Sequence, residues 1–113
     1  MATPRCNPVA LVTKRDFSEH AEFLKALADP HRLAIVATLA ANPHPVCVCD
    51  LTCGLPIGQP SVSHHLAILR TAKLVESERR GTWAYYSLTR GVRERLAGLL
   101  DDVLPKGRLK RAS

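Results

Sequence analysis

Three of the four cysteines fall within one seven-residue stretch, Cys47-Val48-Cys49-Asp50-Leu51-Thr52-Cys53. Thiolates are soft ligands, and a cluster of them selects thiophilic ions. Twelve residues after Cys47 begins a second segment with chemistry of its own, Gln59-Pro60-Ser61-Val62-Ser63-His64-His65-Leu66. Small polar residues at the head of a helix suit the DNA major groove, where side-chain donors and acceptors meet base edges. Together the two segments set a soft-metal site beside a reading helix.

The elements that position these residues follow from apolar spacing and capping. Phe17, Ala21, Leu24 and Leu27 recur at helical spacing and predict a first helix from Asp16 to Leu27. Asp29-Pro30 is a strong start for a second helix, with Asp as N-cap and Pro at the first helical position. That helix carries Leu33, Val36, Leu39 and Ala40 on one face and stops at Asn42-Pro43. Pro43 to Pro45 form a break. A short helix follows from Cys47 to Cys53, ending at Gly54, and Leu55 to Gly58 make a turn. The next helix runs from about Pro60 to Ala72, with Val62, Leu66 and Leu69 facing inward. A short helix, a Gly-containing turn and a helix with a polar N-terminal face are helix–turn–helix grammar.

From Leu74 to Leu88 the period changes to two. Ala84, Tyr86 and Leu88 alternate with Trp83, Tyr85 and Ser87, and Arg80-Gly81 supplies a turn, which predicts a two-stranded hairpin with a basic tip. The last helix, from about Arg90 to Leu104, carries Val92, Leu96, Leu99 and Val103 in one stripe that packs on its own core or on a twin. The fold class is therefore mainly α with a small β-hairpin, a winged helix–turn–helix. Its domain spans 16–104, after a flexible arm over 1–15 and before a basic tail over 105–113.

Composition agrees. A chain of 113 residues is one small domain, burying about two-thirds of its unfolded surface. An apolar fraction of 46% with 4% aromatics suits an aliphatic helical core. The net charge of +6 and pI near 9.6 meet the first criterion for a nucleic-acid binder. Arg79-Arg80 and the run from Lys106 to Arg111 are basic clusters. The N-terminus lacks the apolar centre of a signal peptide, and no run approaches the roughly 18–20 apolar residues of a membrane span. The expected compartment is cytoplasmic, with no membrane contact, where thiols stay reduced and clustered cysteines serve as ligands rather than disulfides. An enzyme is not expected: the motif is Cys-x-Cys rather than Cys-x-x-Cys on a βαβ unit, and no acid–base constellation or phosphate loop accompanies it. The paired Cys-x₂-Cys knuckles of a structural zinc module are also missing.

Leu24-Lys25-Ala26-Leu27-Ala28-Asp29-Pro30-His31-Arg32, the segment from Gln59 to Leu66, Arg79-Arg80-Gly81 and Tyr85-Tyr86-Ser87-Leu88 stand in the order and spacing of a known pattern. Over residues 18–104 the chain resembles the ArsR/SmtB family of metal-sensing repressors. The resemblance implies a homodimer joined through the first and last helices, with Phe17, Leu24, Val92, Leu96, Leu99 and Val103 at the interface. It also implies that the metal-free dimer binds an imperfect inverted repeat in double-stranded operator DNA and leaves it when metal binds. By position in the motif, Gln59, Ser61, Ser63 and His64 stand at the groove, and His65 beside them faces phosphate or base edges. Arg70 touches phosphate or makes an intramolecular pair, and Arg79 and Arg80 meet the backbone or the adjacent minor groove.

Cys47-Val48-Cys49-Asp50-Leu51 matches the Cys-Val-Cys-Asp-Leu motif of the family's arsenite sensors, which implies As(III) or Sb(III) as inducer. These ions prefer three thiolates in a pyramid. The family's arsenite pattern puts its third cysteine directly after the leucine; here Thr52 stands there and Cys53 follows. Cys49 and Cys53 share a helix face, whereas Cys47 lies two residues back, so a three-sulfur site requires a distorted first turn. Cys6 is the other candidate third or fourth ligand, since an N-terminal cysteine reaches this helix across the dimer in related cadmium and lead sensors. Those sensors usually supply two such cysteines and this chain one. Cd(II), Pb(II) or Zn(II) is the alternative inducer, and a thiol-redox response is the other functional reading of clustered cysteines. The family's zinc site on the last helix needs His and Asp; here that helix offers Glu94, Asp101 and Asp102 but no His. His20 and His31 are expected as surface or packing residues, and His44 is only a minor candidate for a nearby extra ligand.

Overall fold

The computed structural model describes residues 9–12 and 15–107. Its elements are α1 (Ser18–Leu27), α2 (Pro30–Ala41), β1 (Val46–Cys47), α3 (Val48–Gly54), α4 (Gln59–Thr71), β2 (Val75–Arg80), β3 (Trp83–Leu88) and α5 (Val92–Val103). Residues 1–8, 13, 14 and 108–113 lie outside the description, so Cys6, much of the N-terminal arm and most of the basic tail do too.

Asp29 starts α2 as its spacing predicts. One carboxylate oxygen accepts the backbone N–H groups of His31 at 2.8 Å and Arg32 at 3.1 Å, and Pro30 adds no orphan donor. Burial alone pushes the Asp29 carboxyl up, but the amide bonds from Arg32 and His31, with positive charge at His65 and then Arg32, outweigh it and hold the group below its ordinary value. The fold therefore favours the carboxylate. That stabilisation is present above about pH 4 and fades as pH falls through the lowered folded-state value. Asp29→Ala should lower the melting temperature by about 4–8 °C. Asp29→Asn should retain the cap while flattening the acid limb, and thermal melts followed by circular dichroism from neutral to acid pH measure both.

The end of α4 is a Schellman turn: the Leu74 amide donates to the Leu69 carbonyl and the Lys73 amide to that of Arg70, both at 2.9 Å. Lys73 holds the left-handed position at φ 61°, where a side chain is strained and glycine is not. Lys73→Gly should raise unfolding free energy by up to about 1 kcal/mol in urea titrations.

Val62, Leu66 and Leu69 of α4 are fully buried, as the spacing predicts, and join Ile35 and Leu74 at the centre of the core. The first two helices bury faces that the sequence left open. In α1 the core takes Phe23 and Ala26, leaving Leu24 46% exposed and Ala21 exposed. In α2 it takes Ile35 and Leu39, with Val36 half-buried and Leu33 and Ala40 exposed. Both helices carry overlapping apolar stripes, and period alone cannot choose between them. Neighbours choose: the Arg95 guanidinium covers the Phe23 ring at 4.5 Å and donates to the Ala72 and Lys73 carbonyls at 3.2 and 3.1 Å, seating α5 over α1 and the end of α4.

β2 and β3 form the expected hairpin, in register from Val75↔Leu88 to Arg80↔Trp83, with Gly81 at φ 66° in the turn. The sheet is one strand larger than expected. β1 pairs with β3 through Val46↔Tyr86 and Cys47↔Tyr85, giving the order β1-β3-β2. A two-residue strand between Pro45 and a helix has no period to read.

Candidate metal centre and nucleic-acid interface

Cys47 closes β1 and caps α3 from outside the helix, in extended conformation at φ −67°, ψ 141°. Its Sγ accepts the Cys49 backbone N–H at 3.4 Å, and the Cys49 thiol lies directly against the same sulfur. The two sulfurs meet because Cys47 is the cap, so the pair needs no distortion within α3. Cys47 is buried and Cys49 half-buried. The hydrogen bond to Cys47, then burial, then negative charge at Cys47 and Asp50 push the Cys49 thiol up; a backbone bond at Asp50 opposes them weakly. Loading an ion must displace that proton, which makes affinity depend on pH.

Cys53 is exposed in the last turn of α3. Among the described residues no three His, Cys, Asp or Glu side chains stand close enough together to hold an ion. The structure thus brings Cys47 to Cys49 but does not gather Cys53 with them. Thr52, where the arsenite pattern has cysteine, donates its hydroxyl to the Val48 carbonyl at 2.9 Å. His44 and Asp50 line a cleft of about 350 Å³ between the end of α2 and α3.

Val48 and Leu51 are buried and seat α3 in the core beside α4. On α4, Gln59, Ser61, Ser63, His64 and Arg70 are exposed. Ser63, Arg70 and Tyr86 share one shallow cleft, and Arg70 makes no ion pair among the described residues. His65 differs from its expected place at the groove. It turns towards the start of α2, its Nδ1 3.1 Å from Nη1 of Arg32. At the hairpin tip Arg79 donates to the Thr82 carbonyl at 3.4 Å. Arg80 pairs with Glu78 at 3.3 Å and lies over the Tyr85 ring at 4.5 Å. The sequence reading gave no such role to Arg32, Arg95 or Tyr85. A signal existed only for Arg32, a cation in the first turn of a helix, where the macrodipole disfavours one unless it has a partner.

On α1 and α5 the expected interface residues divide. Leu99 belongs to the core of its own chain, Phe17 and Val92 are half-buried, and Leu24, Leu96 and Val103 are exposed. Leu100 and Leu104 extend the exposed apolar surface. Asp102 of α5 meets His20 of α1 at 2.9 Å and Arg15 at 3.3 Å, contacts that hold its carboxyl below the ordinary range.

A short helix packed on a polar-faced reading helix, followed by a β-hairpin wing, defines a winged helix–turn–helix regulator. The description "bacterial regulatory protein, arsR family" matches residues 29–77. A transcriptional repressor SmtB homolog of Synechocystis sp. is 47% identical over 68 residues, 60% of this chain and 50% of that protein. The match thus spans half of that relative's length. The arsenical resistance operon repressor of Bacillus subtilis is 44% identical over 80 residues, 71% of this chain and 72% of that one. The solved structure of HlyU from Vibrio cholerae N16961 shares the fold at a TM-score of 0.64, with 26% identity over 83% of this chain and 98% of that chain. The chain belongs to the arsR family of bacterial regulatory proteins. These relatives are transcriptional regulators rather than enzymes. No helix among the described residues is long and apolar enough to cross a membrane.

Proposed function

We propose that this protein is a cytoplasmic, homodimeric repressor that leaves its operator when trivalent arsenic or antimony binds Cys47 and Cys49. The observation that carries this reading is that the Cys47 and Cys49 sulfurs stand side by side at the junction of β1 and α3. Two adjacent thiolates form a soft chelate, and Cys53 or Cys6 supplies the third sulfur. Similarity to an arsenical resistance operon repressor supports the same inducer. Gln59, Ser61, Ser63 and His64 read base edges, while Arg70, Arg79 and Arg80 contact backbone. Dimerisation through α1 and α5 covers Leu24, Leu96 and Val103.

The site's position suggests how an ion reaches the DNA-binding elements. Cys47 pairs with Tyr85 in the wing strand β3, and Cys49 rides on α3, which packs against α4. Seating an ion between the two sulfurs moves them apart and strains both attachments. A coupling of about 1–3 kcal/mol, roughly 5–150-fold in operator affinity, is typical of such linkage.

The exposure of Cys53 away from the pair favours a second reading, in which Cys6 completes a site for Cd(II), Pb(II) or Zn(II). The deciding experiment is fluorescence anisotropy on the protein's own promoter DNA, titrated with arsenite, antimonite, cadmium, lead and zinc. Release by arsenite or antimonite supports the three-thiolate reading. Release only by cadmium, lead or zinc, abolished by Cys6→Ser, supports the second. Release by no ion but by a mild thiol oxidant leaves a redox response.

A further inference from the structure

Arg32 stands at the start of α2 but serves three helices. Its Nε donates to the Ala26 carbonyl at 2.6 Å and its Nη2 to the Lys25 carbonyl at 3.3 Å. These carbonyls belong to the last turn of α1, and that of Lys25 also accepts the Ala28 amide at 3.2 Å. Its Nη1 crosses to α4 and meets Nδ1 of His65 at 3.1 Å. Arginine keeps its proton at every working pH and offers donors only. Nδ1 of His65 can meet that donor only as an acceptor, which is the neutral Nε2–H form of the ring.

The ring is mostly buried, its side chain 14% exposed, so water is a poor substitute for the guanidinium. Nε2 lies 3.9 Å from the Asp29 carboxylate. The rings of His31 on α2 and His64 on α4 flank it at 5.7 and 6.0 Å between centroids. On α1, Glu22 and Lys25 pair with each other at 3.5 Å and line the same cleft as Arg32 and His64.

We infer that His65 is a positioning residue for operator recognition: in its neutral form it locks the reading helix, through Arg32, to the junction of α1 and α2. Protonation sets N–H against N–H across the 3.1 Å contact and breaks the lock. Asp29 then holds the charged ring, but the link from α4 to the end of α1 is lost. The neighbouring His64, exposed at the head of α4, is free to face DNA. The effect on affinity rests on the operator-binding reading; the tautomer does not.

Two measurements on the full chain separate these. In long-range ¹H–¹⁵N spectra at about pH 7.5, His65 (assigned by its loss in His65→Asn) should show the Nε2–H tautomer, and Arg32→Met should convert it to a mixture. An Nδ1–H ring, or one indifferent to Arg32→Met, overturns the inference. Anisotropy on promoter DNA then compares variants at about pH 7.5 and about pH 5.5. His65→Asn puts an amide oxygen where Nδ1 stands and does not titrate. It should match the wild type at the higher pH and bind better than it at the lower. His65→Leu, lacking an acceptor, should bind at least about tenfold more weakly at the higher pH. Parallel pH profiles for wild type and His65→Asn, or equal losses in the Asn and Leu variants, overturn the inference. If His65→Leu fails to fold, the wild-type comparison with His65→Asn decides. If the wild type does not bind promoter DNA, the operator reading fails and the tautomer spectra decide alone.

Discussion

Cys47→Ser should keep the protein on its operator at arsenite concentrations that release the wild type, moving the half-release point up by about a hundredfold or more. Disturbing a residue that merely supports a ligand costs about 10–100-fold in metal affinity, and removing a ligand costs at least as much. A hydroxyl is a hard donor that stays protonated at neutral pH and cannot replace a thiolate towards a thiophilic ion. The same substitution should leave the fold intact. Cys47 is the N-cap of α3 and accepts from the Cys49 amide at 3.4 Å, and serine is among the best residues for that role. The melting temperature should therefore hold or rise while inducer response disappears. Cys49→Ser should lose the response as well. Cys53→Ser and Cys6→Ser then identify the third sulfur by whichever reproduces the loss. A Cys47→Ser protein that still releases DNA at wild-type arsenite concentrations would sink the sulfur-pair reading.

The largest stability effect should come from the reading helix. Leu66→Ala should lower unfolding free energy by about 2–5 kcal/mol. Leu66 is fully buried among Val62, Leu69, Ile35 and Leu74, so truncation leaves a cavity that close neighbours cannot fill without moving. Against a total of about 5–15 kcal/mol for a small domain, that loss unfolds much of the population near the melting range. Urea titration should show the midpoint falling with an unchanged slope. Leu96→Ala on α5 is the informative contrast. At 38% exposure it should cost the protomer about 1 kcal/mol or less, yet make stability more dependent on protein concentration if α5 joins the dimer.

Much of the architecture was legible in residue order because its cues are local. Asp29-Pro30 announced α2 by capping chemistry, Val62, Leu66 and Leu69 announced the buried face of α4 by period, and Arg80-Gly81 announced the wing turn. The clustered cysteines likewise marked a candidate site, since soft-ligand density needs no fold to be recognised. The inward faces of α1 and α2 were not legible because each helix offers two apolar stripes, and Phe23 prevails over Leu24 only once Arg95 and the neighbouring helices are in place.

Residue types and spacing thus determined the element order, the reading helix and the soft-donor pair. Tertiary structure decided what each donor meets. Cys47 joined Cys49 because a two-residue strand paired with Tyr85 and left Cys47 as a cap, outside the helix that would have turned the two sulfurs apart. His65, expected at the DNA, was drawn inward by an arginine 33 positions away in the chain. Helical period and capping act within a few residues, whereas hydrogen-bond partners this distant are chosen only when the helices pack.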